Sequence, residues 1–300
     1  FLDSITQFAL SPDGSKFAVV KQRKAKQDSM QVLIYQTSDL KLLKEFEAQP
    51  LVSDLGWSPS NKQLVFLYST DTTKIKNFRL TLFDLEKLQT TSFGDSTDFD
   101  QSQDGRYQAV SSGRKPLFSD DSKLLYFAVV PREVAIKDTL LEREKVNLDI
   151  WHYQDLEIQP QQLLHKNQEL SRGVLYVYHL SLDRLVQLEN DSLRIFIDRK
   201  ANAPFLLARN TDRYQIEAQW KAPSKSDYYR IDLQSGKAEL LVKGIAFRGG
   251  LSADGRYFSY YDTKDQRWML LEIDNRELSC MNLLGALFRL LLSLIDSCSL

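Results

Sequence analysis

The sequence predicts an all-β protein made of repeated four-stranded antiparallel sheets, and two observations carry this prediction. A turn that combines Ser, Asp and Gly occurs near both ends of the chain, at 11–14 and at 252–255. Almost no sustained apolar pattern at helical spacing occurs before position 280, although such a pattern is the main sequence signal of an amphipathic helix. A turn that recurs in front of β-rich sequence indicates a repeated hairpin unit.

Five turns of this general type begin at a serine and precede a β-rich run. The serines are Ser11, Ser58, Ser102, Ser119 and Ser252, and the runs are 17–20, 64–68, 107–110, 124–130 and 257–261. In such turns Pro presets φ, Asp accepts hydrogen bonds from nearby backbone amides, and Gly takes the left-handed position that closes the hairpin. We expect the first hairpin of each sheet at these turns.

A second hairpin follows each first one, as a β-rich run, a short polar turn and another β-rich run. These turns lie at 37–39, 85–87, 181–184, 234–237 and 274–276. Two hairpins in about 45 to 50 residues describe the four-stranded blade of a β-propeller rather than a strand pair of a sandwich. Ser11 and Ser58 are 47 residues apart, and Ser58 and Ser102 are 44 apart, which agrees with that period. The sequence therefore predicts about five blades, a set that need not be complete.

The middle of the chain departs from this period. Ser119 follows Ser102 by 17 residues, too few for a whole blade, so one of the two turns is expected to belong to an extra or displaced hairpin. A weaker first hairpin is predicted over 193–208, with its turn at 198–204. The sequence does not define the borders between blades in this middle part of the chain.

A charged segment interrupts the β pattern over about 131–172. Its charged residues are Arg132, Glu133, Lys137, Asp138, Glu142, Arg143, Glu144 and Lys145. One interpretation is a solvated loop or short helix between two strands of one blade. The other is a loop on one propeller face that contacts a partner domain or a substrate, because functional residues concentrate on long loops.

The composition changes after Leu278, and we predict propeller blades over 1–279 and a separate apolar tail over 280–300. Ten of the thirteen residues in 283–295 are large aliphatic, aromatic or Ala. A membrane-spanning helix needs roughly 20 apolar residues, so this run is too short to span a membrane. Three interpretations remain open for the tail: a helix packed on a sheet, a non-native terminus, and an interfacial anchor.

Composition and charge exclude several classes of function. The chain has 39 Lys and Arg residues and 40 Asp and Glu residues, so no net field attracts it to nucleic acid or to an anionic membrane. Both cysteines, Cys280 and Cys298, lie in the last 21 residues, which excludes a disulfide framework or a cysteine-rich metal site in 1–279. We predict no cofactor, no bound metal, no nucleic-acid partner and no membrane span.

The sequence predicts no catalytic residue. Zinc motifs usually place paired ligands within a few residues of each other, whereas the histidines are 13 and 14 residues apart. They are His152, His165 and His179. The stretch 250–254 lacks the final Gly of a Gly-x-Ser-x-Gly nucleophile elbow and fits a hairpin turn instead. The adjacent carboxylates Asp120 and Asp121 fit a hairpin turn in the same way.

The aromatic residues have two interpretations, a peptide cleft and packing between blades, and we predict packing. The residues concerned are Trp57, Trp151, Trp220, Trp268, Tyr153, Tyr228 and Tyr229.

Two stretches of the chain carry a family resemblance. Residues 115–127 (KPLFSDDSKLLYF), together with 149–155 (DIWHYQD) and 159–162 (QPQQ), resemble the propeller of bacterial members of the prolyl oligopeptidase family, serine peptidases related to acylaminoacyl and dipeptidyl peptidases. The turns at 11–17 and 252–257 resemble those of Tol-type and peptidase propellers. The resemblance spans residues 4 to 278.

In that family a seven- or eight-bladed propeller caps a C-terminal α/β-hydrolase domain with a Ser, Asp, His triad and restricts access to short or unfolded peptides. The resemblance implies that this chain is the gating and substrate-filtering portion, inactive by itself. Its implied partners are the downstream hydrolase domain and peptide substrates, and its implied location is periplasmic or extracytoplasmic. The adjacent glutamates by which dipeptidyl peptidases hold a substrate N-terminus do not occur in the sequence. The alternative is a stand-alone Tol-type propeller that acts as a protein-interaction scaffold.

Overall fold

The computed structural model describes residues 4–23, 29–95, 98–99, 107–133, 150, 152, 154–197, 205–252 and 254–280. The chain divides into two compact units, which are described separately. Unit 1 comprises 1–152 and 160–187, and unit 2 comprises 153–159 and 188–300.

Unit 1 contains three antiparallel sheets. The first is formed by β1 (Ile5–Leu10), β2 (Lys16–Arg23), β3 (Ser29–Gln36) and β4 (Leu42–Glu45). The second is formed by β5 (Leu51–Trp57), β6 (Gln63–Ser69), β7 (Arg79–Asp84) and β8 (Gln89–Phe93). The third contains β9 (Tyr107–Val110), β10 (Leu117–Phe118), β11 (Leu124–Pro131), β12 (Val174–His179) and β13 (Arg184–Gln187), with helix α1 (Gln159–Arg172) between β11 and β12 in the chain.

Unit 2 contains the fourth and fifth sheets. The fourth is formed by β14 (Arg194–Phe196), β15 (Phe205–Asn210), β16 (Ser226–Asp232) and β17 (Ala238–Ile245), with helix α2 (Asp212–Ala218) between β15 and β16 in the chain. The fifth is formed by β18 (Phe247–Leu251), β19 (Tyr257–Asp262), β20 (Arg267–Glu272) and β21 (Leu278–Cys280). Each sheet of the described chain contains four strands that pair in chain order, as in a propeller blade. The predicted fold class is confirmed.

The Ser and Asp turns close the first hairpins as predicted. The Ser11 hydroxyl donates to Asp13 Oδ1 at 2.7 Å and accepts from the Lys16 amide at 2.9 Å. The hydrogen bond from Ser11, followed by bonds from Ser15, lowers the pKa of Asp13 to about 2. Side-chain hydrogen bonds that replace backbone ones explain why this short motif fixes a turn wherever it occurs.

The same hydrogen bonds recur in the third and fifth sheets. Ser119 donates to Asp121 Oδ1 at 2.6 Å, and Ser252 donates to Asp254 Oδ1 at 2.6 Å. Each serine hydroxyl also accepts a backbone N–H five residues later, at 3.0 and 2.9 Å. The interpretation of Ser252, Asp254 and Asp121 as parts of hairpin turns is confirmed.

Strand β9 resolves the irregular spacing in the middle of the chain. It pairs with β11 outside the order of the four strands from β10 to β13, with Val110 opposite Val129. Ser119 lies between β10 and β11 and opens the first hairpin of the third sheet, so the extra strand is the one that follows Ser102. Ser102 itself lies outside the described residues.

The core of unit 1 explains the apolar composition of its central strands. Alternate side chains of a strand point to opposite faces of the sheet, and β6 is buried on both. Its Val65 and Leu67 pack into a cluster with Leu125 and Phe127 of the third sheet. Its Leu64 and Phe66 pack into another cluster, with β2 and β3 of the first sheet. Each such side chain stabilises the fold by about 1.5–3 kcal/mol.

Two predicted segments are only partly described. Residues 159–172 of the charged segment form α1, which agrees with the short-helix interpretation, whereas 134–149 lie outside the described residues. Residues 281–300 of the apolar tail, including Cys298, also lie outside them. None of the helices in the described ranges has the length and apolar character needed to cross a membrane.

Candidate functional site

The two ends of each sheet differ in their connections. In an antiparallel sheet whose strands pair in chain order, the turns between strands one and two and between three and four lie at one end, and the connection between two and three lies at the other. We call these the turn end and the loop end. Connections at the loop end include 70–78, 132–173 and 211–225. Because long loops carry functional residues more often than tight turns do, we expect a functional site at the loop ends.

The loop end of the second sheet holds the start of the charged segment in place. The Asn77 side chain accepts from the Glu133 amide at 2.9 Å and donates to the Glu133 carbonyl at 3.1 Å. Asp71 Oδ2 in turn accepts from the backbone and side-chain N–H groups of Asn77, at 2.8 and 3.1 Å. The backbone bond from Asn77 is the main cause that lowers the pKa of Asp71. Asn77 therefore anchors the first residues of the charged segment to the second sheet.

The loop end of the fourth sheet contains a pocket of about 220 Å³. Its lining includes Tyr214, Ala218 and Ala246, each of which is half-buried. The segment that follows α2 supplies much of the remaining lining. The other residues around the pocket are Glu217, Lys221, Ala222, Pro223, Ser224, Lys225 and Thr263.

A buried carboxylate is hydrogen-bonded to Tyr214, one of the lining residues. Asp227 is 5% exposed, and its Oδ1 accepts from the Tyr214 hydroxyl at 2.6 Å and from the Gly244 amide at 2.9 Å. Burial, followed by the hydrogen bond to Asp227, raises the pKa of Tyr214. Because both bonds end on one carboxylate oxygen, Asp227 links Tyr214 of α2 to β16 and β17.

Charged side chains of both signs line the pocket. Lys221 Nζ lies 2.6 Å from Glu217 Oε1, an (i, i+4) pair. The hydrogen bond from Lys221, and to a smaller degree the nearby charge of Lys225, lowers the pKa of Glu217. Glu217 is thus charged at neutral pH, and these three side chains carry two positive charges and one negative charge.

Trp220 lies beside this pocket in the sequence, and the prediction that it packs in the core is wrong. Its side chain is 71% exposed. The residue follows the last turn of α2, where its amide donates to the Glu217 carbonyl at 3.2 Å, and it is not part of any strand that could carry it into a sheet interface. The preceding Gln219 donates to the Leu156 carbonyl at 3.2 Å, and Leu156 and Ile158 are 39% and 50% exposed. Apolar surface therefore accumulates on this side of unit 2.

The other aromatic residues divide between core and surface. Trp57 packs against the core cluster of the first two sheets and donates to the Ala9 carbonyl at 3.0 Å, as predicted. Tyr228 is buried, with its ring 5.2 Å from that of Phe258. Tyr229 is half-buried, whereas Trp268 is 44% exposed and packs edge-on against Tyr261. Trp151 and Tyr153 lie outside the described residues.

The histidines are dispersed among three environments. His152 is exposed, His165 lies half-buried on α1, and His179 is buried at the end of β12. Within the described ranges, no group of three or more His, Cys, Asp or Glu side chains is placed to hold a metal ion.

The sequence analysis did not predict the pocket in unit 2. Tyr214, Asp227 and Gly244 are far apart in the chain and meet only because β15, β16 and β17 pair in order. A weak signal exists in 219–225 (QWKAPSK), where a Trp, two Lys and a Pro stand in a break between two β-rich runs.

The fold defines the class of this chain as an all-β protein of propeller-blade sheets. No protein-family model and no curated protein matches it. Similar solved structures include the β-propeller domain of the Trilobed protease from Pyrococcus furiosus (11% identity, TM-score 0.43, 92% of this chain and 71% of that one). Others are dipeptidyl peptidase 4 from Porphyromonas gingivalis (14%, 0.44, 93% and 39%) and a eukaryotic initiation factor (11%, 0.45, 93% and 55%). The chain thus spans about half or less of the last two proteins, and likenesses at these scores assign it no activity.

Proposed function

We propose that residues 1–279 are the propeller portion of a serine peptidase similar to the prolyl oligopeptidase family. In this proposal the portion filters peptides on their way to a catalytic domain and performs no hydrolysis itself. The observation that supports it is the charged segment at the loop end of the third sheet, which Asn77 anchors at Glu133. A long connection between two strands that is anchored at its first residues is suited to admit or exclude a chain.

The charge pattern of the segment favours selection by size over selection by charge. Residues 132–145 contain four basic and four acidic side chains in a mixed order. Such a pattern gives no field of one sign that would attract or repel a charged peptide. Hydrolysis would come from the downstream α/β-hydrolase domain, whose serine needs activation by a histidine and an oxyanion hole.

Peptidase assays on this chain and on the full-length gene product test the division of labour. We expect the full-length protein to cleave a chromogenic peptide and the purified chain to leave it intact. Turnover by the purified chain would refute the proposal.

A deletion of 132–147 in the full-length protein tests the filter itself. We expect cleavage of a short peptide to persist, while cleavage of a long unfolded polypeptide rises relative to it. A ratio unchanged from that of the parent protein contradicts a filtering role for the segment.

The second candidate function is a Tol-type scaffold for protein interactions, and the exposure of Trp220 favours it. Exposed aromatic side chains are enriched where proteins bind one another. The coding sequence downstream of codon 280 separates the candidates. A Gly-x-Ser-x-Gly motif after a strand, with later Asp and His, supports the peptidase; a stop codon after the blades supports the scaffold.

A further inference from the structure

We propose that the apolar tail folds back as a helix and covers the open face of the fifth sheet. The open face is the side of that sheet that points away from the fourth sheet. Of the three interpretations of the tail that the sequence leaves open, this one is a helix packed on a sheet, with the sheet and its face now specified. It goes beyond the proposed filtering function and does not depend on it, because it is tested on the 300-residue chain without a catalytic domain.

The strand register of the fifth sheet separates its two faces. Side chains directly opposite each other on paired strands lie on the same face. On one face, Phe258 lies opposite Leu271, and Tyr260 lies opposite Met269. These four side chains are at most 6% exposed and pack into a core cluster with strands of the fourth sheet. That face is therefore already covered.

The open face carries a row of three aromatic side chains. Phe247 lies opposite Tyr261, and Tyr261 lies opposite Trp268. Their rings contact edge-on, with centroids 6.3 and 5.6 Å apart. Phe247 and Trp268 are 49% and 44% exposed, and the core clusters of the described residues include none of the three. Because a sheet buries its apolar surface against another element, this row indicates a face that a further element covers.

The next row of the open face is shallow and already has its polar group satisfied. Ser259 lies opposite Leu270, and Leu270 lies opposite Ser279. The Ser259 hydroxyl accepts from the Gly250 amide at 3.0 Å and donates to the Gly250 carbonyl at 3.2 Å. An apolar side chain that covers this hydroxyl therefore leaves it hydrogen-bonded. The row is suited to large aliphatic side chains packed beside the aromatic row.

The tail lies outside the described residues, and its sequence has the pattern of a helix with a narrow polar stripe. The residues of 282–296 that are neither large and apolar nor Ala are Asn282, Gly285, Arg289, Ser293 and Asp296. They are three or four positions apart, so a helix with 3.6 residues per turn brings all five onto an arc of about 80°. The other ten positions are apolar. A helix with so wide an apolar surface is buried against other elements.

The connection and the length of the tail place this helix on the open face. Strand β21 ends at Cys280, at the edge of the fifth sheet, and the apolar run begins three residues later, at Leu283. Short connections of this kind are common between a strand and a helix. Residues 283–295 would span about 20 Å as a helix, roughly the length of the six-residue strands β19 and β20. The tail therefore reaches the open face of its own sheet and matches it in length.

Two aspartate variants of the tail test the orientation of the helix. Leu287 and Arg289 lie on opposite sides of a helix, so Leu287→Asp puts a charge against the sheet, whereas Arg289→Asp, the matched control, stays on the polar stripe. We expect acrylamide quenching of Trp268 to rise roughly twofold in Leu287→Asp, because an unpaired charge is not retained in an apolar contact. Quenching should not change in Arg289→Asp.

The signal of Trp268 is isolated by subtracting the fluorescence of the same chain with Trp268→Phe. Thermal unfolding shows that the sheets of each variant stay folded. A chain that lacks 281–300 should show the same rise in quenching as Leu287→Asp. Quenching of Trp268 that is unchanged by this deletion, or that rises equally in the two aspartate variants, overturns the proposal.

Disulfide formation tests the contact directly. In a chain whose two natural cysteines are replaced by serine, Ser259→Cys provides a thiol on the open face. We expect an intramolecular disulfide with a second cysteine at Leu284, Leu287 or Leu291, formed roughly tenfold faster than with Arg289→Cys, because the Cβ atoms of a disulfide lie within about 4.5 Å. Equal rates at the apolar positions and at the polar stripe contradict the proposal. Disulfide-linked dimers in place of the intramolecular product would mean that a second copy covers the face, and they overturn it as well.

Vesicle binding separates the covered face from an interfacial anchor. An anchor would carry the 300-residue chain onto phosphatidylcholine vesicles, whereas a tail whose apolar side lies on the sheet leaves the chain in the supernatant. We expect the parent chain to stay in the supernatant. Sedimentation of the parent chain with the vesicles would show that its tail is exposed, and would overturn the proposal.

Discussion

The turn ends and the loop ends of the sheets are built by different means. At the turn ends of the first, third and fifth sheets, a serine hydroxyl donates to an aspartate two residues later and accepts an amide five residues later. At the loop ends each connection is different: Asn77 anchors one, helix α1 lies in another, and a pocket lies beside α2. A short sequence motif that recurs along the chain forms the turn ends. Contacts between residues far apart in the sequence form the loop ends.

A pair of glycine variants should show the largest difference between the two ends. Gly173, at the loop end of the third sheet, has a φ of +61°, and a Cβ there would lie against the Val129 carbonyl oxygen and 2.9 Å from its carbon. Gly14, at a turn end, has a φ of +71° and nothing within 4 Å of such a Cβ. We expect Gly14→Ala to cost only the left-handed conformation, about 1–2 kcal/mol, and Gly173→Ala to cost about 3 kcal/mol or more, because backbone overlap adds to strain.

Urea unfolding of both glycine variants measures this difference. Equal losses of unfolding free energy would show that the third sheet accommodates the added Cβ by moving, and that its loop end is no more constrained than a turn.

An asparagine variant should loosen one loop end without loosening a turn. Asn77→Ala removes both hydrogen bonds to the Glu133 backbone, and we expect a loss of about 1–2 kcal/mol. Limited proteolysis should then cut the chain near position 133 faster than in the parent protein. Asn167→Ala, on the exposed surface of α1, is the control. A cleavage rate that rises equally in both variants would contradict the anchoring role of Asn77.

The smallest effect concerns the pH dependence of the two ends. Asp13 has a folded pKa of about 2, below the unfolded value of 3.8. Its ionised form therefore stabilises the fold above pH 3.8, and this stabilisation is lost as the pH falls from 3.8 toward about 2. Ser11→Ala removes the main cause of the shift, so the pKa of Asp13 should rise and this acid dependence should diminish.

The aspartate at the loop end should respond differently. The main cause that lowers the pKa of Asp71 is a backbone N–H, that of Asn77, which Asn77→Ala retains. We therefore expect the Asp71 pKa to move less in Asn77→Ala than the Asp13 pKa moves in Ser11→Ala. Carbon NMR titration of the carboxyl groups measures both, and a larger movement at Asp71 would contradict the comparison.

The same difference explains which parts of the fold the sequence predicted. The turns at Ser11, Ser119 and Ser252 were predictable because the hydrogen bonds of the serine hydroxyl that define them span five residues or fewer. The choice between Ser102 and Ser119 was not, because it depends on the pairing of β9 with β11, which no local pattern reports. The sequence left a loop and a short helix as alternatives where α1 lies, because its Leu163 and Leu164 are 60% and 78% exposed and no apolar face marks the helix.

The candidate site was less predictable than the fold. Asp227 reads as an ordinary strand aspartate, and its role is visible only when Tyr214 and Gly244 are brought to it by two neighbouring strands. Trp220 reads as a core residue because large aromatics are usually buried, and its exposure follows from its place after α2. The type of a residue indicates how strongly it favours burial. Its position in the fold, here in the connection after α2, decides whether it is buried.

Strand β9 has a consequence for how unit 1 comes apart. Val110 pairs with Val129 in the third sheet, and its amide also donates to the carbonyl of Phe78, directly before β7 of the second sheet, at 2.8 Å. Neither sheet can open at this point without breaking a hydrogen bond of the other. Native-state hydrogen exchange should therefore report one shared opening free energy for the amides of β7 and β11, so that two blades behave as a single cooperative folding unit.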